Sequence, residues 1–313
     1  MPYNNLTSRT DIQAMVREQV SDIMLNGLTN ESAVLAAFTR INVPTNQTRF
    51  PVLSALPTAY FVSGDTGLKQ TTEAAWTNKF INVEELAAIV PIPDAVLADA
   101  SFDIWGSIRP LLEQAIGRAL DAAVLFGTNA PASWPTAVIT AAASAGNTRN
   151  RGTATAAQGG IAEDVNQLIA TLEADGYYPS AFIGNVTNRA RFRSARDANG
   201  QLLMDVNGGT GNIWGIPTTY PMAGQWPSGT GSAELIALQR ENFIVGVRQD
   251  FTVTQSNTAV VQDGSGVVQF NAFQQDMTLF RIVFRVGWQV SNPINYQQGT
   301  EGSRYPAAVM LAP

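Results

Sequence analysis

The sequence predicts a mixed fold of the α+β class, and three observations carry the prediction. A broad apolar stripe at helical spacing runs from Trp105 to Phe126, and a period of two, with one apolar and one more polar face, runs from Phe280 to Val290. No internal repeat joins the two. The third observation is a shortage. Charged residues make up only 14% of the 313, against roughly 25% in an ordinary soluble protein. The length allows about two domains at ~150 residues each, and 45% hydrophobic residues can fill a core. A charge-poor surface then suggests that other subunits cover much of it, because interface cores are depleted in charge.

Taken in order, residues 8–26 read as a helix. Ser8 or Thr10 can cap it, Asp11 suits its positive end, and Gly27 closes it after Ile12, Met15, Val16, Val20, Ile23 and Met24. A second short helix is expected from Ser32 to Arg40. Neither has enough apolar surface to fold alone, so residues 1–43 read as a terminal arm that lies against something else. Residues 44–83 form an extended loop: strand-like Pro51–Val62 and Glu73–Val83 flank the turn-prone Ser63-Gly64-Asp65-Thr66-Gly67. A two-stranded ribbon is marginal alone in water, and here Trp76 and its scattered apolar companions ask for a neighbouring molecule.

The long helix follows. Ser101 can cap it, Asp103 sits in its first turn, and Gly127 ends it, with a kink or restart expected at Pro110. Residues 128–160, rich in Ala, Thr, Gly and Asn, read as a loop or linker. Beyond 161 the pattern gives a helix over 162–175, a short buried strand at Ala181–Ile183, and a helix from Asn188 to Arg196. Glu234–Leu238, Phe243–Val247 and Phe251–Val253 read as strands, and the alternating strand over 279–290 puts its apolar residues on one face.

Counts exclude several functions. With no Cys and no His there is no disulfide framework, no thiolate or histidine catalysis and no zinc ribbon. A net charge of −6 argues against general nucleic-acid binding. No apolar run reaches the roughly 18 residues of a membrane helix, and no cofactor is expected. The Asn-x-Ser/Thr triplets at Asn5, Asn30, Asn46 and Asn185 read as chance without a secretion signal.

Few constellations remain. Arg189, Arg193 and Arg196 share one helical face, either as an anion or inter-subunit carboxylate site or as a solvated face balanced by Asp197. The pairs Glu84-Glu85 and Glu163-Asp164 point their members in different directions and read as solvated or capping carboxylates. The glycine-rich stretches lack the Lys-Ser/Thr of a phosphate loop. The chain has only two lysines, Lys69 and Lys79, both in the extended loop. They either blunt its edge or reach a neighbour.

Several blocks, in this order, resemble the major capsid proteins of tailed phages. They are Phe50-Pro51-Val52-Leu53; Leu86-Ala87-Ala88-Ile89-Val90-Pro91-Ile92-Pro93 running into Leu97-Ala98-Asp99; and Ala115-Ile116-Gly117-Arg118-Ala119-Leu120-Asp121. Next come Asp175-Gly176-Tyr177-Tyr178-Pro179, Arg196-Asp197-Ala198-Asn199-Gly200-Gln201, and Trp214-Gly215-Ile216-Pro217-Thr218, where Gln201 and Thr218 replace the family's usual Arg and Val. Phe243-Ile244-Val245-Gly246-Val247-Arg248 and Val290-Ser291-Asn292-Pro293 close the series.

The resemblance implies the Hong Kong 97-type fold. Residues 1–43 would be its N-terminal arm, 44–83 the extended loop, 84–160 the peripheral domain with the spine helix, 161–254 the axial domain, and 255–313 the second part of the peripheral domain. It implies a protein that is not an enzyme and that self-assembles through hexamers and pentamers into an icosahedral head. The head would enclose double-stranded DNA without sequence-specific contact. Portal, scaffold and decoration proteins would be the partners and no membrane would be involved, with assembly in the host cytoplasm and residence in the virion. Because the chain starts at Met1 with a short arm, no cleaved scaffolding segment is expected. Inter-subunit contacts would fall on Lys69, Trp76, Lys79, Arg189, Arg193 and Arg196. The type member joins a loop lysine to an asparagine near the chain end with the help of a glutamate. Lys69 or Lys79, Asn292 or Asn295, and Glu301 are the candidates for those roles here. An encapsulin-type nanocompartment shell is the alternative with the same fold.

Overall fold

Ser32 caps the first helix, α1 (Ala33–Ala37), by accepting the Leu35 amide on its hydroxyl. The computed structural model describes residues 32–313 except 63, 65–66, 100–103, 197–198, 203–210 and 222–225, so the helix expected over 8–26 lies outside it. Ala33, Val34, Leu35, Ala37 and Phe38 are all buried in the main core. β1 (Thr39–Asn42) then pairs in parallel with residues 244–247. Residues 32–43 are therefore part of the subunit's own body. A short run of small and apolar residues is stabilised here by burial on several sides, not by its own amphipathic face.

β2 (Gln47–Ala55) and β3 (Ala75–Asn82) form the expected antiparallel hairpin, with shorter strands than the sequence suggested. β4 (Glu84–Pro93) and α2 (Asp94–Asp99) lead to the long helix α3 (Ile104–Asp121). This helix is continuous through Pro110 and widens into a π-helical turn over Ala122–Phe126, which Gly127 ends with φ of 74°. The segment read as a linker contains α4 (Val138–Ser144) and β5 (Thr148–Asn150). Its alanines supply a helix whose buried face, Val138 and Ala142, joins the core. The next elements are α5 (Ile161–Ala174), β6 (Ala181–Gly184), α6 (Asn188–Ser194), β7 (Asn212–Ile213), β8 (Ile216–Thr219) and β9 (Ala233–Leu238). β10 (Phe243–Ser256) unites two expected strands, with register shifts on either side of Gln249. A small hairpin, β11 (Val260–Gln262) and β12 (Val268–Asn271), precedes β13 (Met277–Val290) and β14 (Ala307–Leu311).

Two larger sheets organise the body. One has six strands in the order β5-β14-β9-β6-β8-β7, the other four in the order β1-β10-β13-β4. β9 is buried along its whole length because both faces of its sheet are covered. Leu235 and Ala237 face α5 and α6, while Ile236 and Leu238 face the main core. In β13 the alternation holds: Ile282, Phe284, Val286, Trp288 and Val290 are buried on one face. The sheets cut across the expected boundaries at 160 and 254. β5 and β14, from opposite ends of that division, join β9 in one sheet, while β10 joins β13 in the other. The apolar Ala307–Leu311 supplies the neighbour that β9 needs on the side away from β6.

Candidate inter-subunit surfaces

The hairpin is anchored at one end and bare at the other. Its base rests on a glycine pair, Gly246 of β10 and Gly287 of β13, which face each other in register. A Cβ on Gly287 would stand 2.3 Å from the Asn82 carbonyl oxygen, and one on Gly246 would stand 3.0 Å from Val43 and 3.1 Å from Ile81. The missing side chains make a notch that receives Ile81 and Val43, both fully buried. Polar contacts add to the seat. The Ile294 amide donates to Leu53 O at 3.1 Å, the Gln289 side chain to Phe80 O at 2.9 Å, and the Tyr296 hydroxyl to Pro57 O at 2.9 Å.

Beyond the base, little of the subunit touches the ribbon. The Thr58 amide donates to Thr72 Oγ1 and the Tyr60 hydroxyl to Gln70 O, tying its two sides together. Phe61 is fully exposed, Leu68 is 91% exposed and Trp76 is 64% exposed. Lys69 is exposed and has no partner among the described residues. Lys79, nearer the base, is bound within the subunit: its Nζ lies 2.8 Å from Glu301 Oε1. That hydrogen bond holds the Glu301 carboxyl below the usual range, against partial burial.

The other crosslink candidates serve the loop that carries Glu301. Asn292 is buried; its oxygen accepts from the Tyr177 hydroxyl at 2.7 Å and its amide donates to Arg304 O at 3.2 Å. Burial pushes the Tyr177 hydroxyl up to about 12. Asn295 donates to Asp175 O at 2.7 Å. The buried Arg304 guanidinium donates to Pro293 O and Gly299 O at 3.1 and 3.0 Å and so fixes the loop's path.

The arginine face holds only in part. Arg189 and Arg193 lie on α6, but the helix ends at Ser194 and Arg196 sits in a β-bridge with Leu202, which removes it from that face. Arg189 stacks over the Tyr220 ring at 5.4 Å, Arg196 donates to Gly200 O at 3.0 Å, and Arg193 has no partner among the described residues. The balancing residue, Asp197, lies outside the described residues. Sequence reasoning missed Glu234, a buried carboxylate in β9 gripped by Arg151 at 2.5 Å and Arg191 at 2.9 Å. The available signal was one acid in an otherwise apolar strand. Asp164 is neither solvated nor a cap of its own helix: it is buried and takes the amides of Gly152 and Ala154 in the preceding loop.

A mixed α/β body that carries an apolar ribbon into solvent is a subunit made to be covered by other subunits. The phage capsid family model matches residues 13–295, and the chain belongs to that family. Among solved structures it resembles a chain of Microbacterium phage Oxtober96, with 34% identity over 90% of this chain and 91% of that one and a TM-score of 0.79. A chain of Mycobacterium phage Adephagia matches at 27% identity over 98% of both chains, with a TM-score of 0.79. The capsid of an empty GTA particle, computed with C5 symmetry, shares the fold at 17% identity over 90% of each chain, with a TM-score of 0.63. No curated protein matches. The chain is a major capsid protein of the Hong Kong 97 type. It is a structural protein, not an enzyme, that assembles with copies of itself into the shell of a virion. The encapsulin alternative is not favoured.

Proposed function

We propose that this subunit builds the icosahedral head of a tailed phage through hexamers and pentamers, around double-stranded DNA that it contacts without sequence preference. The observation that carries this reading is the exposed distal ribbon, with Phe61, Leu68 and Trp76 uncovered by the described residues of their own chain. Such a segment becomes ordered at low cost only on a neighbour, and many modest contacts of this kind sum through multivalency. The six-stranded body is the natural axial domain, and α3 with the four-stranded sheet the natural peripheral domain. Arg193, Lys69 and Trp76, without polar partners among the described residues, are open to neighbours. Assembly belongs in the host cytoplasm, with portal, scaffold and decoration proteins as partners. The net charge of −6 suits an inner wall that leaves packaged DNA mobile, and a basic inner wall in a shell structure would refute that point. Negative-stain microscopy of the purified protein tests the whole reading. Closed shells or five- and six-fold rings are expected, and a stable lone subunit of 33.5 kDa at all concentrations would overturn it.

A further inference from the structure

A cavity of about 330 Å³ opens where α3 ends, between the start of β4 and the loop after the π-helical turn. Its floor is apolar, made by Leu86, Leu120, Ala123, Val286 and Trp134. Its rim is acidic. Glu85 is shared with Arg285 at 3.0 Å, but Glu84 accepts only the Ser133 hydroxyl and has no cationic partner among the described residues. The end of the long helix adds partial negative charge beside the same opening. An apolar floor under an unpaired carboxylate fits a long aliphatic stem that ends in a cation.

The chain offers one lysine for that role. Lys79 is engaged with Glu301, and Lys69 is exposed and unpartnered among the described residues. It cannot come from the same subunit. From Asn82, two residues before Glu84, β3 runs away from the cavity to Ala75, a span of about 24 Å at ~3.4 Å per residue. The contacts Thr58 to Thr72 and Tyr60 to Gln70 continue the pairing of the ribbon's two sides beyond that point. We propose that the cavity beside Glu84 receives Lys69 from the ribbon of a second copy of this chain. The proposal rests on the shell reading and gives it a specific receptor.

The absence of cysteine from the chain makes the test direct. Lys69→Cys combined with Thr128→Cys, a residue on the cavity wall, is assembled, the particles are isolated, and the protein is run on a non-reducing gel. A ladder at multiples of the subunit mass, absent from either single variant and lost on reduction, is the expected result. Isolated particles whose double variant stays monomeric on the gel would overturn the inference and leave the shell reading intact. Charge exchange provides an independent readout. Lys69→Glu and Glu84→Lys should each reduce particle yield, and the double variant should recover it. Single variants that assemble as well as the unmodified protein would also overturn the pairing. Failure of the unmodified chain to form particles would instead sink the shell reading.

Discussion

Asp121 is a carboxylate taken fully out of water. It accepts the Ser32 hydroxyl at 2.6 Å and the amides of Ala33 and Val34 at 2.9 and 3.1 Å, and so ties the first turn of α1 to the end of α3. Burial outweighs these three bonds and lifts its pKa from 3.8 to about 6, and no charged side chain contributes to the shift. The folded protein therefore binds this proton more tightly than the unfolded chain. Its contribution is most favourable below pH 3.8 and is lost as pH rises to about 6, the reverse of a salt-bridged acid. At about 1.4 kcal/mol per tenfold change in proton affinity, the loss amounts to about 3 kcal/mol. Urea unfolding of Asp121→Asn should lack this slope between pH 4 and 6; an unchanged slope would show that the proton sits elsewhere. Gly287 makes a separate prediction. Gly287→Ala places a methyl 2.3 Å from a backbone oxygen, which only a backbone shift can relieve. We expect destabilisation at the upper end of the roughly 1–3 kcal/mol typical of overpacking, read from the same urea curves; a midpoint unchanged from the parent would reject the notch.

At the scale of elements, the hairpin shows which contacts hold it. The Lys79–Glu301 pair lies at the surface, with the glutamate 60% exposed, and such pairs are worth about 0–1 kcal/mol. Ile81 is fully buried in the notch, where truncation to alanine costs about 2–5 kcal/mol. Limited proteolysis between residues 56 and 74 should therefore accelerate in Ile81→Ala and hardly change in Lys79→Ala. Equal acceleration in both would mean that the ion pair is the anchor. The sequence showed the hairpin, α3, α5, β6 and β13, because each carries a period of 2 or 3.6 or a turn signal long enough to read. It hid α4 and β14. These are short runs of alanine and valine, buried on several sides, and without a polar face they have no period to display. The glycine notch was hidden too: Gly246 and Gly287 are meaningful only once β10 and β13 are in register, 41 residues apart in the chain.

At the scale of the whole molecule, composition announced a shared surface and the ribbon's weakness showed where part of it lies. The body proved more self-contained than the residue pattern suggested, because residues 32–43 are core and both ends of the chain's C-terminal loop fasten the hairpin's base. This arrangement bears on how the mature shell is sealed. An isopeptide bond requires a lysine amine to attack an asparagine amide carbon and expel ammonia. Of the lysines, Lys79 is paired with Glu301 of its own subunit at 2.8 Å. Of the asparagines, Asn292 is buried with its oxygen and nitrogen both engaged, and Asn295 donates to Asp175 O while its oxygen accepts the Gln298 amide. Lys69 is the lysine without a partner among the described residues, and its proposed receptor offers a carboxylate, not an amide. The shell should therefore be held by non-covalent contacts alone. Denaturing electrophoresis of mature particles without reductant should give a single band near 33.5 kDa. A ladder that survives boiling, and that disappears in Lys79→Arg, would show that Lys79 leaves Glu301 on assembly and finds an amide in a neighbouring subunit.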